Sequence, residues 1–338
     1  MNELLSLNLD QLKNIISDLG GKPFMAQQLQ QWLTKGVPFE SMTNLSKPLR
    51  EALRAGYTEG YAGVVEKHES ADGTVKLLLS MSGGGMVECV VMRYHYGNTL
   101  CVSTQVGCRM GCAFCASGKE GLVRNLTVGE MRSEFIAAQQ MGEIGNVVLM
   151  GSGEPFDNYE NVLGFIRALG ELHGLGIRHI SLSTCGLLPG IEKLAAEGLP
   201  VTLCISLHSA IDAKRQQIMP VASVYPVGRI LAAADGFFKK TGRRIIIEYT
   251  LIQGFNDGAE DIDALVAALK DMNCHVNVIP LNTAGHADKD LLKAPGPAEA
   301  HAFAAKLEKR GVSATVRRSL GGDIEGACGQ LKLKREKP

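Results

Sequence analysis

From residue 100 to residue 317 the chain repeats one unit, a short apolar run followed by a segment long enough for a helix. The runs fall at 100–104, 146–150, 179–183, 201–206, 245–251, 276–280 and 314–317. Helix-length segments lie at 127–141, 159–172, 188–197, 227–240, 258–270 and 299–310. Thr127 with Glu130 fits a capping box at the start of the first of these. Repeated βα units predict an α/β chain whose parallel sheet curls into a complete or partial barrel. In that architecture the chemistry lies at the C-terminal ends of the strands, so the residues that close each run carry the functional information.

Two segments precede the repeats. Residues 1–60 read as a small helical module. Asn8 or Asp10 caps a first helix with Leu12, Ile15, Ile16 and Leu19 on one face, ended by Gly20-Gly21. A second helix is expected over 24–35, and a third from Ser46 to Gly56. Beyond residue 60 the period changes to two, with strands at 61–67, 75–81 and 86–92 and turns at Asp72-Gly73 and Gly83-Gly84-Gly85. The expected organisation is a helical module (1–60), a β extension (61–98), the barrel (99–318) and a C-terminal loop with a basic tail (319–338).

The 338 residues are 45% hydrophobic and 21% charged, which suits one large α/β domain with a small appendage. Lys+Arg and Asp+Glu both number 35, so nucleic acid is not gripped by global charge. A local basic patch remains open at the C-terminus, where Lys306, Lys309, Arg310, Arg317, Arg318, Lys332, Lys334, Arg335 and Lys337 outnumber the acids; a solvated helix face and frayed tail is the plain alternative. No apolar run of about 18 residues is present to span a membrane. The start, Met1-Asn2-Glu3-Leu4-Leu5-Ser6, lacks the pattern of a secretory signal, which leaves the cytoplasm as the expected location.

Nine cysteines without a secretion signal point to metal or thiol chemistry rather than a disulfide scaffold. Cys204 and Cys274 sit in apolar strand-like runs and read as buried small hydrophobes. The strongest signal is Gly107-Cys108-Arg109-Met110-Gly111-Cys112-Ala113-Phe114-Cys115, directly after the first barrel strand. Its C-x3-C-x2-C spacing lets three thiolates hold three corners of an iron–sulfur cube and leaves one iron open. A zinc knuckle would need a fourth ligand that does not follow.

A C-x3-C-x2-C loop after a barrel strand resembles the radical S-adenosylmethionine (SAM) superfamily, in which the open iron chelates SAM and an electron from the cluster cleaves it. Met150-Gly151-Ser152-Gly153-Glu154-Pro155 ends a strand, and Glu154 could pair with the SAM ammonium; a tight turn is the plain alternative. Ser181-Leu182-Ser183-Thr184, Ser206-Leu207-His208 and Asn282 end strands on the same expected face, although a lone His208 is more often structural. Cys101 lies seven residues before the motif, and Cys328 lies in a glycine-rich stretch near the chain end, where an incidental surface thiol would be unremarkable in composition.

The resemblance then narrows to the RlmN/Cfr family of RNA adenine methyltransferases. It rests on Glu88, the run Leu100-Cys101-Val102-Ser103-Thr104-Gln105-Val106-Gly107-Cys108, the cysteine loop, Arg124-Asn125-Leu126-Thr127, Gly153-Glu154-Pro155, Ser206-Leu207-His208 and Asp323-Ile324-Glu325-Gly326-Ala327-Cys328-Gly329-Gln330-Leu331. It implies a radical SAM, TIM-like partial β/α barrel. On the matching positions, Cys108, Cys112 and Cys115 would ligate a [4Fe-4S] cluster, and Gly153, Glu154, Ser183, Ser206, Leu207, His208 and Asn282 would line the SAM site. Cys328 would carry the methyl group, Cys101 would resolve it through a transient disulfide, and Glu88 would transfer a proton. The implied reaction methylates carbon 2 of an adenine in 23S rRNA, and in tRNA, through an S-methylcysteine and with two SAM per turnover. The target base would have to leave its stack to reach a barrel mouth.

The implied partners are 23S rRNA, tRNA and an electron donor such as a flavodoxin, with the N-terminal module and the basic C-terminal residues gripping RNA. The sequence is silent on oligomeric state, and a monomer is the default. Ser152 and Thr283 depart from the family pattern, which often has Met and Pro there, and Cys185 has no assigned role. Carbon 8 is the alternative target within the family; Ile279-Pro280-Leu281-Asn282 looks more like the carbon-2 branch. A methylthiotransferase would need three further cysteines upstream, where only Cys89 and Cys101 stand. A non-enzymatic RNA-binding iron–sulfur protein would leave Glu154, Cys101 and Cys328 unexplained.

Overall fold

Asn8 accepts from the Gln11 N–H, and the Gln11 side chain accepts from the Asn8 N–H, both at 2.9 Å, which starts the first helix as expected. The computed structural model describes residues 2–119, 121–282 and 292–324. The chain opens with β1 (Asn2–Glu3), α1 (Leu9–Asp18), α2 (Met25–Thr34), α3 (Lys47–Gly56) and β2 (Tyr57–Thr58), the two short strands pairing in parallel. The helices bury Leu12, Ile16, Leu29, Leu33, Leu49 and Leu53 in a core of their own, which Ile136 joins from the barrel. Arg132 fastens the module by donating to the Leu5 carbonyl at 2.6 Å.

An antiparallel meander follows: β3 (Gly63–Glu69), β4 (Val75–Ser80), β5 (Met86–Tyr94) and β6 (Gly97–Val102). A small ribbon, β7 (Gln105–Gly107) with β8 (Leu122–Asn125), brackets the cysteine loop. The repeats then run α4 (Val128–Gln139), β9 (Ile144–Leu149), α5 (Tyr159–His173), β10 (Ile180–Thr184), α6 (Leu188–Glu197), β11 (Thr202–Ser206), α7 (Asp212–Ile218), α8 (Val227–Thr241), β12 (Ile245–Leu251), α9 (Ala259–Leu269), β13 (Cys274–Pro280), α10 (Pro297–Lys309) and β14 (Ala314–Val316).

The main sheet has ten strands in the order β14-β13-β12-β11-β10-β9-β6-β5-β4-β3. From β6 to β14 neighbours run parallel, and β3 and β14 form its two edges, so the barrel is partial. Every expected strand and helix is present, with ends shifted by a few residues. β5 and β6 reach to Tyr94 and back to Gly97 because pairing continues through the polar residues Arg93, Asn98 and Thr99. The β7–β8 ribbon and α7 were not expected; both are too short to show a period.

The two faces of the meander differ. Val75, Leu77, Leu79, Val87, Cys89 and Val91 pack into the large core with the helices. Val90, Met92 and Cys101 face the other way and pack with Val148, Met150 and Leu320. Among the described residues, no helix is long and apolar enough to cross a membrane.

Candidate active site

The cysteine loop starts at Gly107, whose φ of 77° lets the chain turn away from β7. Gly111, at φ 64°, bends it again between the first two cysteines. The loop is closed by the N–H of Cys108 donating to the Gly121 carbonyl at 2.9 Å, and is tied to the barrel by the N–H of Ala113 donating to the Ile218 carbonyl at 2.9 Å. Cys108, Cys112 and Cys115 thereby face one cavity of about 230 Å³ at the C-terminal ends of the strands.

Three strand ends supply the opposite wall. After β9, Gly153 and Glu154 line the cavity; Ser183 on β10, Ser206 at the end of β11 and His208 just beyond it do so as well. The Glu154 carboxylate is held by backbone N–H donors from Phe156 (3.0 Å) and Cys185 (2.8 Å). Burial raises its pKa, and these two donors work against that rise. Ser183 and Ser206 bond to each other through their hydroxyls at 3.2 Å. His208 stands at φ 57°, in the left-handed region, and Nδ1 accepts from the Thr250 N–H at 2.9 Å. Its ring therefore carries its proton on Nε2 and packs edge-on against Phe114.

Three cysteine thiols on one cavity are the donor set that an iron–sulfur cluster with one open iron takes. Among the described residues, no three His, Cys, Asp or Glu side chains converge as ligands of one metal ion. Burial pushes the Cys108 thiol up to about 12 and raises that of Cys112. Bare thiolates are disfavoured there, and ligation to a metal centre would hold these cysteines deprotonated.

Other expected site residues lie off this cavity wall. Leu207 is buried behind it, its carbonyl accepting from Arg215 Nε at 3.0 Å, so it positions its neighbours and does not line the space. Asn282 is exposed just after β13. Cys101 sits behind Met150, which lines the cavity, and Glu88 is buried on β5 in an ion pair with Lys76 at 2.9 Å. Cys328 lies outside the described residues. The eight cysteines within them are free; the expected disulfide is a transient one between Cys101 and Cys328, and its second partner lies outside them. Cys204 and Cys274 are buried as expected.

Several residues that shape the site carry no local signal. Gln105 accepts from the Glu154 N–H at 2.9 Å while its amide donates to Asn125 and Asp157, both at 2.8 Å. Glu248 and Arg317 line the inner end of the cavity from β12 and just after β14. Arg215 is completely buried beneath it.

Comparison with known proteins agrees with this geometry. Residues 102–272 match the radical SAM superfamily, and residues 2–57 match the ribosomal RNA large subunit methyltransferase N-terminal domain. A probable dual-specificity RNA methyltransferase RlmN of Clostridium perfringens is 47% identical over 98% of this chain and 97% of its own. One from Symbiobacterium thermophilum is 46% identical over 99% of this chain and 92% of its own. The crystal structure of a radical SAM methyltransferase from Sphaerobacter thermophilus superposes with a TM-score of 0.92 at 38% identity, covering 98% of this chain and 99% of the other.

Proposed function

This chain belongs to the RlmN family of radical SAM RNA methyltransferases, and from that premise we propose that it methylates carbon 2 of an adenine in 23S rRNA and in tRNA, using a methyl group carried on Cys328. When bound, a [4Fe-4S] cluster on Cys108, Cys112 and Cys115 supplies the electron that opens SAM, and SAM supplies the methyl group and the hydrogen-abstracting fragment. Glu154 pairs with the SAM ammonium, and His208 offers a neutral N–H to the same ligand. Carbon 2 of adenine is electron-poor and does not attack a sulfonium methyl, which is why a carrier thiol is needed. Cys328 takes the methyl group and bonds its carbon to the base. Glu88 accepts the proton that carbon 2 gives up. Cys101 then attacks the Cys328 sulfur; an S–S bond forms as the carbon–sulfur bond breaks, the carbon keeps that electron pair and takes a proton to become the methyl group of the released base, and an external reductant such as a flavodoxin system restores two thiols. The N-terminal module and the C-terminal basic residues hold the RNA.

The observation that carries this reading is the position of Leu320. Eight residues before Cys328, it packs in the cluster that contains Cys101. The chain that leads toward Cys328 thus passes over the face that bears Cys101, which supports the paired roles given to these two cysteines.

The test uses reconstituted enzyme and methyl-labelled SAM. Label should appear on Cys328 before RNA is added, and RNA incubated afterwards should yield 2-methyladenosine by nucleoside mass spectrometry. Cys101→Ala should load the label and then accumulate an RNA adduct on Cys328, whereas Cys328→Ala should give neither. Label that bypasses Cys328, or 8-methyladenosine as the product, would overturn the assignment.

A further inference from the structure

Lys76 and Cys101 lie in one row across three strands: Lys76 on β4 faces Val90 on β5, and Val90 faces Cys101 on β6. Glu88 precedes Val90 by two residues, so it stands on the same face of the sheet. The Ser103 hydroxyl donates to the Glu88 carbonyl at 2.8 Å, which places Glu88 beside the end of β6, from which the chain runs on through β7 to the cysteine loop. Lys76 is fully buried, and its ammonium contacts a Glu88 oxygen at 2.9 Å.

Packing does not call for this pair. The opposite face of the same strands already glues the meander to the helices through Val75, Leu77, Leu79, Val87 and Val91. A buried ion pair is often no more stabilising than two apolar side chains of the same volume. Its distinctive property is that it keeps a carboxylate in one place, out of water, with a counter-charge beside it.

We propose that Lys76 is the positioning residue for Glu88: its ammonium fixes the carboxylate on the Cys101 face, where it meets the base during release. This rests on the reading of Glu88 as proton acceptor. In the step concerned the carbon-2–hydrogen bond breaks, its electron pair stays with the ring, and the proton ends on a Glu88 oxygen. Lys76 touches neither the base nor the reacting atoms. Without it, a deeply enclosed carboxylate loses the cation that stands 2.9 Å from its oxygen.

The test compares Lys76→Met, Lys76→Gln, Lys76→Arg and Glu88→Gln in the reconstituted enzyme, with unmodified 23S rRNA transcript as the probe. Three quantities are read: methyl label on Cys328, RNA adduct on Cys328, and methyladenosine. Lys76→Met and Lys76→Gln should load the methyl group like the parent. They should then accumulate adduct and lose product by roughly a hundredfold, at the low end of what proton-transfer groups contribute. Lys76→Arg should restore release, and Glu88→Gln should match Lys76→Met.

Normal product from Lys76→Met beside a blocked Glu88→Gln would overturn the role of Lys76 alone. Normal product from Glu88→Gln would overturn the proton-acceptor reading itself. Equal losses at every step, or uncharged variants that fail to fold beside a soluble, active Lys76→Arg, would show that the charge serves the fold and not the release.

Discussion

Arg215 Nη2 donates to the carbonyl of Cys185 at 2.6 Å, and the N–H of that same cysteine donates to the Glu154 carboxylate at 2.8 Å. A buried cation thus reaches the floor of the site through the backbone of one residue, Cys185, whose N–H and carbonyl belong to successive peptide groups. Arg215 also donates to the carbonyls of Leu207 at 3.0 Å and Ser206 at 3.3 Å. These acceptors are backbone oxygens where β10 and β11 end, so the guanidinium clamps two loops that carry cavity residues. Burial lowers its pKa, and its carbonyl partners stand in for water.

Removing that clamp should be costly. Arg215→Met would strand several buried carbonyls, and a loss of about 3 kcal/mol or more is expected in urea unfolding. Arg215→Lys should recover only part of it, because one ammonium cannot replace a planar fork of donors. SAM binding should weaken in both. An Arg215→Met protein as stable as the parent would show that water fills the space without penalty.

A second prediction concerns the approach to Cys328. Asp323 accepts from the Ser70 hydroxyl and from the Ala71 N–H, while Asp72, on the turn between β3 and β4, accepts from the Gly321 N–H at 2.9 Å. The Gly321 N–H is the main reason the Asp72 carboxyl is held well below the usual carboxylate range. Its folded-state pKa is depressed, so this clasp is engaged above the ordinary carboxylate pKa and released only as pH falls below it. Cys328 follows Ile324 by four residues, a span of at most about 14 Å. Asp323→Ala with Asp72→Ala should leave global unfolding unchanged, speed hydrogen exchange at the Ala71 and Gly321 amides, and slow methyl delivery. Unchanged exchange would show that the clasp is not closed in solution.

Much of this was legible in the sequence because it is local. The capping box of Thr127 and Glu130 is a four-residue signal, and it forms, with the Glu130 N–H donating to Thr127 Oγ1 at 3.2 Å. The cysteine loop and the Gly153-Glu154 strand end are equally short-range. The partners of Arg215, Gln105 and Lys76 are set by the fold instead. Arg215 lies in a short amphipathic helix where a surface role is the natural reading, and its burial follows from how α7 folds under β11. Lys76 sits in an apolar strand and faces Val90 in the register, so only the cross-strand diagonal reveals Glu88.

The glycines of the site give a third prediction. A Cβ on Gly107 would stand 2.1 Å from the Gly121 carbonyl oxygen, and one on Gly151 would stand 2.5 Å from that of Val102. Both obstacles are backbone, so neither can swing aside. Gly107→Ala should prevent the loop from closing and abolish iron binding, measured as iron per chain after reconstitution. Gly151→Ala should instead force β6 and the β9 end apart and lower the unfolding midpoint, with iron binding reduced less. A Gly107→Ala protein with full iron content would show that the loop tolerates another path.

The last prediction is a pH dependence that comes from His208. Burial, helped by the nearby Arg215 charge, pushes its pKa down to about 3, and burial likewise takes His173 to about 4. Both are neutral when folded, yet in the unfolded chain they bind a proton near pH 6.5. Between those values the unfolded state holds more protons, so stability rises with pH there and is lost as pH falls from about 6.5 toward 3. Above pH 6.5 neither histidine should contribute a slope. His208→Asn is the informative variant, because asparagine tolerates the left-handed backbone and its amide oxygen can still accept the Thr250 N–H. It should remove one linked proton and flatten the dependence of unfolding free energy by about 1.4 kcal/mol per pH unit below pH 6. The measurement is a series of urea unfolding curves from pH 7.5 to 4.5 for parent and variant. Parallel curves would mean that His208 is protonated in the fold and that the neutral N–H assigned to it does not exist.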